Sequence, residues 1–228
     1  MAEPSIWVVI PAYNEGRVLA DVVRELLENN SSYQVVIVDD GSTDNTSVIA
    51  GNLSVHLLTH PINLGQGAAL ATGFEYALQQ EADIIVTFDA DGQMQPADIG
   101  LLVDVIINED VDVALGSRFL TTLPEKMPPI KKNVLKLATV LTKLTTGLKV
   151  TDTHNGFRAF KAQALRKLTI TQNRMAHASE ILSAIARNKL SWREVPVTIR
   201  YTEYSKSKGQ SVSNAINILF ELFSRGTK

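Results

Sequence analysis

Short apolar runs that end in an acid or a turn former, with helical spacing between them, constrain this chain more than any other feature. Ile6 to Ile10 is a continuous apolar run closed by Pro11, the pattern of a strand buried on both faces. Val18, Leu19, Val22, Val23, Leu26 and Leu27 then recur at i, i+3 and i+4 positions, which predicts an amphipathic helix. Val35 to Val38 repeats the strand pattern and stops at Asp39, Asp40 and Gly41, with Ser42 to Asp44 opening a turn or helix cap. Val55 to Leu58 is a weaker run, followed by Asn63 to Gly67 and an alanine-rich helix through Leu78. Ile84 to Phe88 runs straight into Asp89, Ala90 and Asp91. This alternation predicts the α/β class, with a mostly parallel central sheet flanked by helices on both faces.

The second half is less regular. Val111 to Leu115 reads as a further strand ending at Gly116, Ser117 and Arg118, and the three prolines between Leu120 and Ile130 read as an ordered loop or lid. Val134, Leu137, Ala138, Leu141, Leu144 and Leu148 share one face of a long predicted helix. Phe157 to Phe160 is a strand or turn, Met175 to Arg187 a helix, and Glu194 to Arg200 an edge strand interrupted by Pro196. Val212, Ile216, Leu219, Phe220 and Phe223 form the stripe of a terminal helix. No linker divides two cores. One domain over 1–228 is expected, with a helix-rich extension after about residue 120.

Composition excludes several classes. With no cysteine there are no disulfides, thiolate metal sites or cysteine nucleophiles. A formal net charge of −2 lacks the basic footprint of a nucleic-acid binder. No run approaches the ~20 apolar residues that span a bilayer, and the N-terminus has no secretory pattern. A cytoplasmic protein, or one peripheral on the cytoplasmic face of a membrane, is expected. The charge is unevenly spread: Glu125 to Lys149 holds six lysines and one acid, a net of +5, and the remainder carries −7.

In open α/β sheets, ligands gather at the carboxyl ends of the parallel strands. Tyr13, Asn14 and Glu15 follow the first run, Asp39 and Asp40 the second, and Asp89 and Asp91 the fourth. Taken singly, a post-strand Asp is a turn former or cap. Three acid-bearing exits on one edge repel one another unless a cation or ligand donors relieve them. Alternation on a terminating strand sends Asp89 and Asp91 to the same side, where hard oxygens suit Mg²⁺ or Mn²⁺. Magnesium commonly binds one or two carboxylates together with substrate phosphates, which points to a diphosphate-bearing substrate.

The segments VVIPAYNE (8–15), VDDGSTD (38–44), NLGQGAAL (63–70), DADGQ (89–93) and GSR (116–118) resemble a family 2 glycosyltransferase with the GT-A, Rossmann-like fold. NGFRAF (155–160) and the spacing of Arg200 to Lys206 resemble, more narrowly, dolichyl- and polyprenyl-phosphate mannose or glucose synthases. The resemblance covers roughly residues 6–210 and implies an inverting, metal-assisted transfer of one hexose. The donor would be a nucleotide sugar of the GDP-mannose or UDP-glucose type, and the acceptor a polyprenyl or dolichyl phosphate. The half before about residue 120 would bind the nucleotide sugar and the half after it the acceptor and membrane.

Carried over position by position, the resemblance gives Pro11, Tyr13 and Glu15 to the nucleoside, and Val38 and Asp40 to base or ribose. Asp89, Ala90, Asp91 and Gln93 would surround the Mg²⁺ or Mn²⁺ and the diphosphate. Arg118, Arg200 and Lys206 would bind phosphates, with Arg158 ranked lower and Lys208 competing with Lys206. A phosphate acceptor is already anionic and needs no strong base, so positioning and charge neutralisation would supply most of the catalysis. A sugar hydroxyl would need a base, for which Asp152 or Glu180 are the candidates. Two alternatives stay open: transfer to a saccharide hydroxyl, and a non-catalytic nucleotide-sugar-binding subunit of a membrane partner. Arg118 and Arg158 also read as ion-pair residues, Gly65 and Gly67 as a tight turn, and His154, His177, Trp7 and Trp192 as packing residues. A lipid acceptor would bring the chain to a membrane, through the lysine-rich segment 126–149, the stripe at 212–223, or a small membrane protein partner.

Overall fold

A computed structural model describes residues 3–120, 146–153, 155–174 and 176–200, together with Thr139, Lys143 and Tyr204. In chain order the elements are β1 (Ile6–Ala12), α1 (Leu19–Asn29), β2 (Gln34–Asp39), α2 (Thr46–Gly51), β3 (His56–Thr59), α3 (Gln66–Gln79), β4 (Ile84–Thr87) and α4 (Ala97–Asn108). There follow β5 (Val113–Ser117), β6 (Arg158–Lys161), α5 (Ala162–Leu165), α6 (His177–Arg187) and β7 (Trp192–Pro196).

The seven strands among the described residues form one sheet in the order β3-β2-β1-β4-β6-β5-β7. All run parallel except β6, which lies antiparallel between β4 and β5. The expected α/β class and mostly parallel sheet are therefore present. Period-2 alternation divides the strands between two cores. Val8, Ile10, Val35, Ile37 and Val86 pack with α1, α2 and α4 on one face. Trp7, Val9, Val36, Ile85 and Phe160 pack with α3, α5 and α6 on the other. Burial on both faces explains why the strands read as unbroken apolar runs.

Several boundaries differ from the sequence pattern for local reasons. Pro11 does not end β1: it lies in register with Val38, and the strand continues to Ala12. The Val9 carbonyl accepts from Phe88 N–H and the Ala12 carbonyl from Asp40 N–H. Alternation therefore turns Pro11 toward β4, whose ladder has already stopped at Thr87, so its missing N–H costs no pair. The strand expected from Val111 starts at Val113, because Asp112 and Val113 donate to the Ser191 carbonyl instead. The edge strand ends at Pro196 rather than running to Arg200. Helix α4 occupies a stretch for which no element was expected, burying Ile99, Leu102, Val103 and Ile106 at helical spacing. Thr139, Lys143 and Thr146 are helical. The rest of the stretch expected to form the long lysine-bearing helix, the expected loop or lid between 120 and 130, and the expected terminal stripe at 212–223 lie outside the described residues.

The strand order reverses between β1 and β4: β2 and β3 follow on one side of β1, and β4 lies on the other. Such a switch point opens a crevice at the carboxyl ends of the strands. Tyr13 to Glu15 and Asp89 to Asp91 fall there.

Candidate active site

The acidic loop after β4 is held from several directions. Phe88 meets Phe157 edge to face at 5.5 Å between centroids. Asp89 N–H donates to the Met94 sulfur, and Asp91 accepts from Gln93 N–H at 3.0 Å. The chain after β7 crosses this loop: Ile199 bridges Met94, and Arg200 N–H donates to the Gln93 carbonyl at 2.7 Å. The Gln66 carboxamide donates to Asp89 Oδ1 at 3.1 Å. Burial first, then the charges of Asp91 and Glu15, push the Asp89 carboxyl up to about 7; Arg158 and Gln66 oppose this. Glu15 therefore faces the same space as the two aspartates. Beside them, a Cβ on Gly156 would stand 3.4 and 3.6 Å from the Asp89 oxygens. The glycine keeps that flank clear.

The loops after β1 and β2 clasp each other. Asn14, at φ 55°, accepts at Oδ1 from the N–H groups of Thr43 and Asp44 and from the Thr43 hydroxyl. Its own N–H donates to the Ser42 hydroxyl, and Glu15 N–H donates to Thr46 Oγ1 at 2.8 Å. Glu15 Oε2 accepts from the Tyr204 hydroxyl at 2.8 Å. The clasp sets the rim on which Tyr13 lies 42% exposed.

Val38 is fully buried. Asp40 is buried too, and its oxygens accept from His60 Nδ1 and from the N–H groups of Leu64 and Gly65. In this conformation the Asp40 carboxylate anchors the turn before α3. The glycines of that turn allow close packing: a Cβ on Gly67 would stand 2.0 Å from the Gln172 carbonyl oxygen. Gly67 and Ala68 N–H donate to the Asn173 carbonyl, so a backbone oxygen caps the N-terminus of α3.

The cations are dispersed. Arg118 leaves β5 and grips the buried Asp152 through Nε at 2.6 Å and Nη2 at 2.8 Å, with its N–H on the same carboxylate. Arg200 brings its backbone to Gln93, but its guanidinium pairs with Glu25 of α1 at 2.6 Å. Arg158 is 3% exposed and donates to the carbonyls of Thr153, Asn155 and Ala178. Burial pulls it down to about 10, which leaves it a full cation placed to offset Asp89 and Asp152. Its donors are spent on carbonyls, so it braces the loop from below. Glu180 accepts from Thr171 N–H, the Thr171 hydroxyl and Gln172 N–H. His177 packs at the start of α6, and burial pulls its pKa down. His154, Lys206 and Lys208 lie outside the described residues.

The structure thus brings Glu15, Asp89 and Asp91 into one space, with Ala90 and Gln93 in the same loop. It sets Asp40, Arg118, Arg158 and Arg200 in contacts of their own. Gln66, Gly156 and Tyr204 also join the site, and the sequence pattern marks none of them as site residues. Gln66 lies in a motif whose glycines read as a tight turn, and nothing local marks Tyr204 as a neighbour of Glu15.

The family model of glycosyl transferase family 2 matches residues 7–169. The chain belongs to this family. It is 37% identical to the UDP-N-acetylglucosamine–dolichyl-phosphate N-acetylglucosaminyltransferase of Methanococcus voltae, over 97% of this chain and 96% of that protein. It is 28% identical to the polyprenol monophosphomannose synthase of Mycolicibacterium smegmatis, over 97% and 86%. Glucosyl-3-phosphoglycerate synthase from Mycobacterium tuberculosis, solved with Mn²⁺, UDP and glucosyl-3-phosphoglycerate, superposes with a TM-score of 0.70 at 19% identity, over 96% and 80%. The same enzyme has been solved with Mg²⁺ and UDP. These last similarities establish the GT-A fold.

Among the described residues, no three acidic or histidine side chains form a ready cage for a metal. The donor set nevertheless fits a hard divalent ion. Asp89 and Asp91 offer carboxylate oxygens, burial and then their mutual repulsion raise Asp89, and Gly156 leaves the flank open. An ion bound by one or two carboxylates completes its shell with water and phosphate oxygens.

Proposed function

We propose that this glycosyltransferase is inverting and metal-assisted. It moves a hexose or N-acetylhexosamine from a GDP- or UDP-sugar to a polyprenyl or dolichyl phosphate. The nucleoside lies over the clasp of the β1 and β2 loops, against Pro11, Tyr13 and Glu15. Asp89 and Asp91 would hold Mg²⁺ or Mn²⁺, which when bound neutralises charge on the diphosphate leaving group. Gln66 orients Asp89, and Arg118 is a guanidinium whose plane is set by its two-point contact with Asp152. Lys206 would add a movable point charge.

The observation that carries the acceptor class is the commitment of Asp152 and Glu180. Each carboxylate is engaged by three donors, so neither is available to deprotonate a hydroxyl. A phosphate monoester attacks without such a base. The two relatives named for dolichyl phosphate and polyprenol support the same class.

No described helix is long and apolar enough to cross a membrane. We propose peripheral contact at the cytoplasmic face, where such a lipid phosphate meets its donor, either directly or through a small membrane protein.

The test is transfer from UDP-N-acetylglucosamine, GDP-mannose or UDP-glucose to a short polyprenyl phosphate with Mg²⁺ or Mn²⁺. A lipid-linked sugar should form with at least one donor and fall about 100-fold or more in EDTA. Transfer to a saccharide hydroxyl but not to the lipid phosphate would overturn the acceptor. Undiminished transfer in EDTA would overturn the metal.

A further inference from the structure

Asn155 carries a buried donor that nothing in the protein satisfies. The residue is 5% exposed, and its Nδ2 is the one buried side-chain nitrogen or oxygen among the described residues without a hydrogen-bond partner. Its carboxamide cannot be turned to exchange the two ends. Oδ1 accepts from Phe157 N–H at 3.1 Å, and a flip would set two donors against each other. The backbone is pinned as well: the Asn155 carbonyl accepts from Arg158 Nε, and the Gly156 carbonyl accepts from the Thr87 hydroxyl. An unpaired amide donor withdrawn from water is costly, and a donor of that kind calls for a partner from outside the chain, whether a water, an ion or a ligand oxygen.

The position says what arrives. Asn155 stands just ahead of β6, at the sheet edge where the carboxyl ends of the parallel strands lie. Along that edge the order is β2, β1, β4, β6, β5. The nucleoside lies over β2 and β1 in the function proposed above, and the diphosphate over β4, at Asp89 and Asp91. The next strand position, about 5 Å further along, is β6. Gly156, adjoining Asn155, flanks the Asp89 carboxylate. Asp152, three residues earlier, holds Arg118.

We propose that Asn155 is a specificity-determining residue, its Nδ2 donating to an oxygen of the sugar carried by the nucleotide. The inference rests on the nucleotide-sugar donor proposed above. A preset, water-excluded donor discriminates strongly between ligands that supply an acceptor oxygen and those that do not. It therefore acts on the sugar-bearing nucleotide and leaves the bare nucleoside diphosphate untouched.

The experiment compares wild type, Asn155→Ala and Asn155→Ser by calorimetric titration with UDP-N-acetylglucosamine, GDP-mannose, UDP and GDP in Mn²⁺, alongside melting temperatures without ligand. Ser keeps an oxygen for Phe157 N–H and lacks the long amide donor, so it guards against misfolding of the Ala variant. Both variants should bind the preferred nucleotide sugar about tenfold more weakly, with affinity for its nucleoside diphosphate within about twofold of wild type. Equal losses for sugar-bearing and bare nucleotide, or no loss for either, overturn the assignment while leaving the donor class intact. A lower melting temperature with unchanged discrimination also overturns it, and marks Asn155 as structural. Wild type binding none of the nucleotides removes the donor class itself, and this inference with it.

Discussion

Asp89 is withdrawn from water beside Asp91 and Glu15, and burial first, then those two charges, decides how the residue titrates. An isolated Asp loses its proton near 4, whereas in the fold Asp89 holds it to about 7. Between those values the folded state binds a proton that the unfolded chain has released, so stability contributed at Asp89 falls as pH rises. In EDTA, Asp89→Asn should therefore melt higher than wild type at pH 8, with the advantage fading toward pH 4. A thermal melt series over that range checks it; a melting temperature at or below wild type at pH 8 would count against the charge crowding. Asp91→Ala should keep its circular dichroism spectrum and lose transfer about 100-fold or more. Near-normal transfer would dispose of the metal assignment.

At this scale the sequence was partly legible. The acid-X-acid triplet ending a strand announces itself, as does the cluster of Tyr13, Asn14 and Glu15. The uses of Asp40, Arg118 and Arg200 were hidden, because each depends on a partner far along the chain: His60, Asp152 and Glu25. A charged residue after a strand looks the same whether its partner is a ligand or another side chain.

Among the elements, α3 shows two local rules in conflict. Gly73 lies inside the helix, where replacement by Ala gains about 1 kcal/mol of helix propensity. A Cβ there would stand 2.3 Å from Val9 Cγ1 and 3.2 Å from Val38 Cγ2. Val9 is fully buried on β1, paired with strands on both sides, and has no room to withdraw. Overpacking of this kind costs about 1–3 kcal/mol, so the steric effect wins. Gly73→Ala should lose about 1–2 kcal/mol in urea denaturation, and the loss should shrink in a Val9→Ala background, where the methyl groups it strikes are gone. A stabilised single variant would contradict the close approach of α3 to the sheet.

Strands and helices of the first half were readable because each is a continuous run with its own period. Helix α4 is the exception: its buried positions Ile99, Leu102, Val103 and Ile106 follow helical spacing, but no side-chain cap sets it apart from the acidic loop before it. Strand β6 reads from the sequence as a strand or turn, but its antiparallel place between β4 and β5 is not readable there. Pairing of residues 158–161 with 84–87 and 113–115 is a long-range choice, on which local pattern is silent.

Over the whole molecule, the net charge of −2 divides into an acidic body and the lysine-rich segment between 125 and 149. The lipid phosphate acceptor proposed above would bring the chain to an anionic surface, where each lysine would contribute about 1 kcal/mol. The triple change Lys131→Glu, Lys132→Glu and Lys136→Glu should reduce sedimentation with anionic liposomes and leave nucleotide binding intact. Unchanged sedimentation would remove this segment as the contact and favour docking through a partner protein.

The sequence by itself determined that the chain is an α/β protein with a doubly covered sheet, and that acids collect where its strands end. Those properties follow from periodicity and punctuation, which act over a few residues. It also carried the family motifs in order along the chain. Only the tertiary structure decided which acids share a space and which cations are spent on partners. It alone left the Asn155 amide without one. Charge interactions and desolvation depend on distances between segments that the fold joins from far apart, and no local pattern records them.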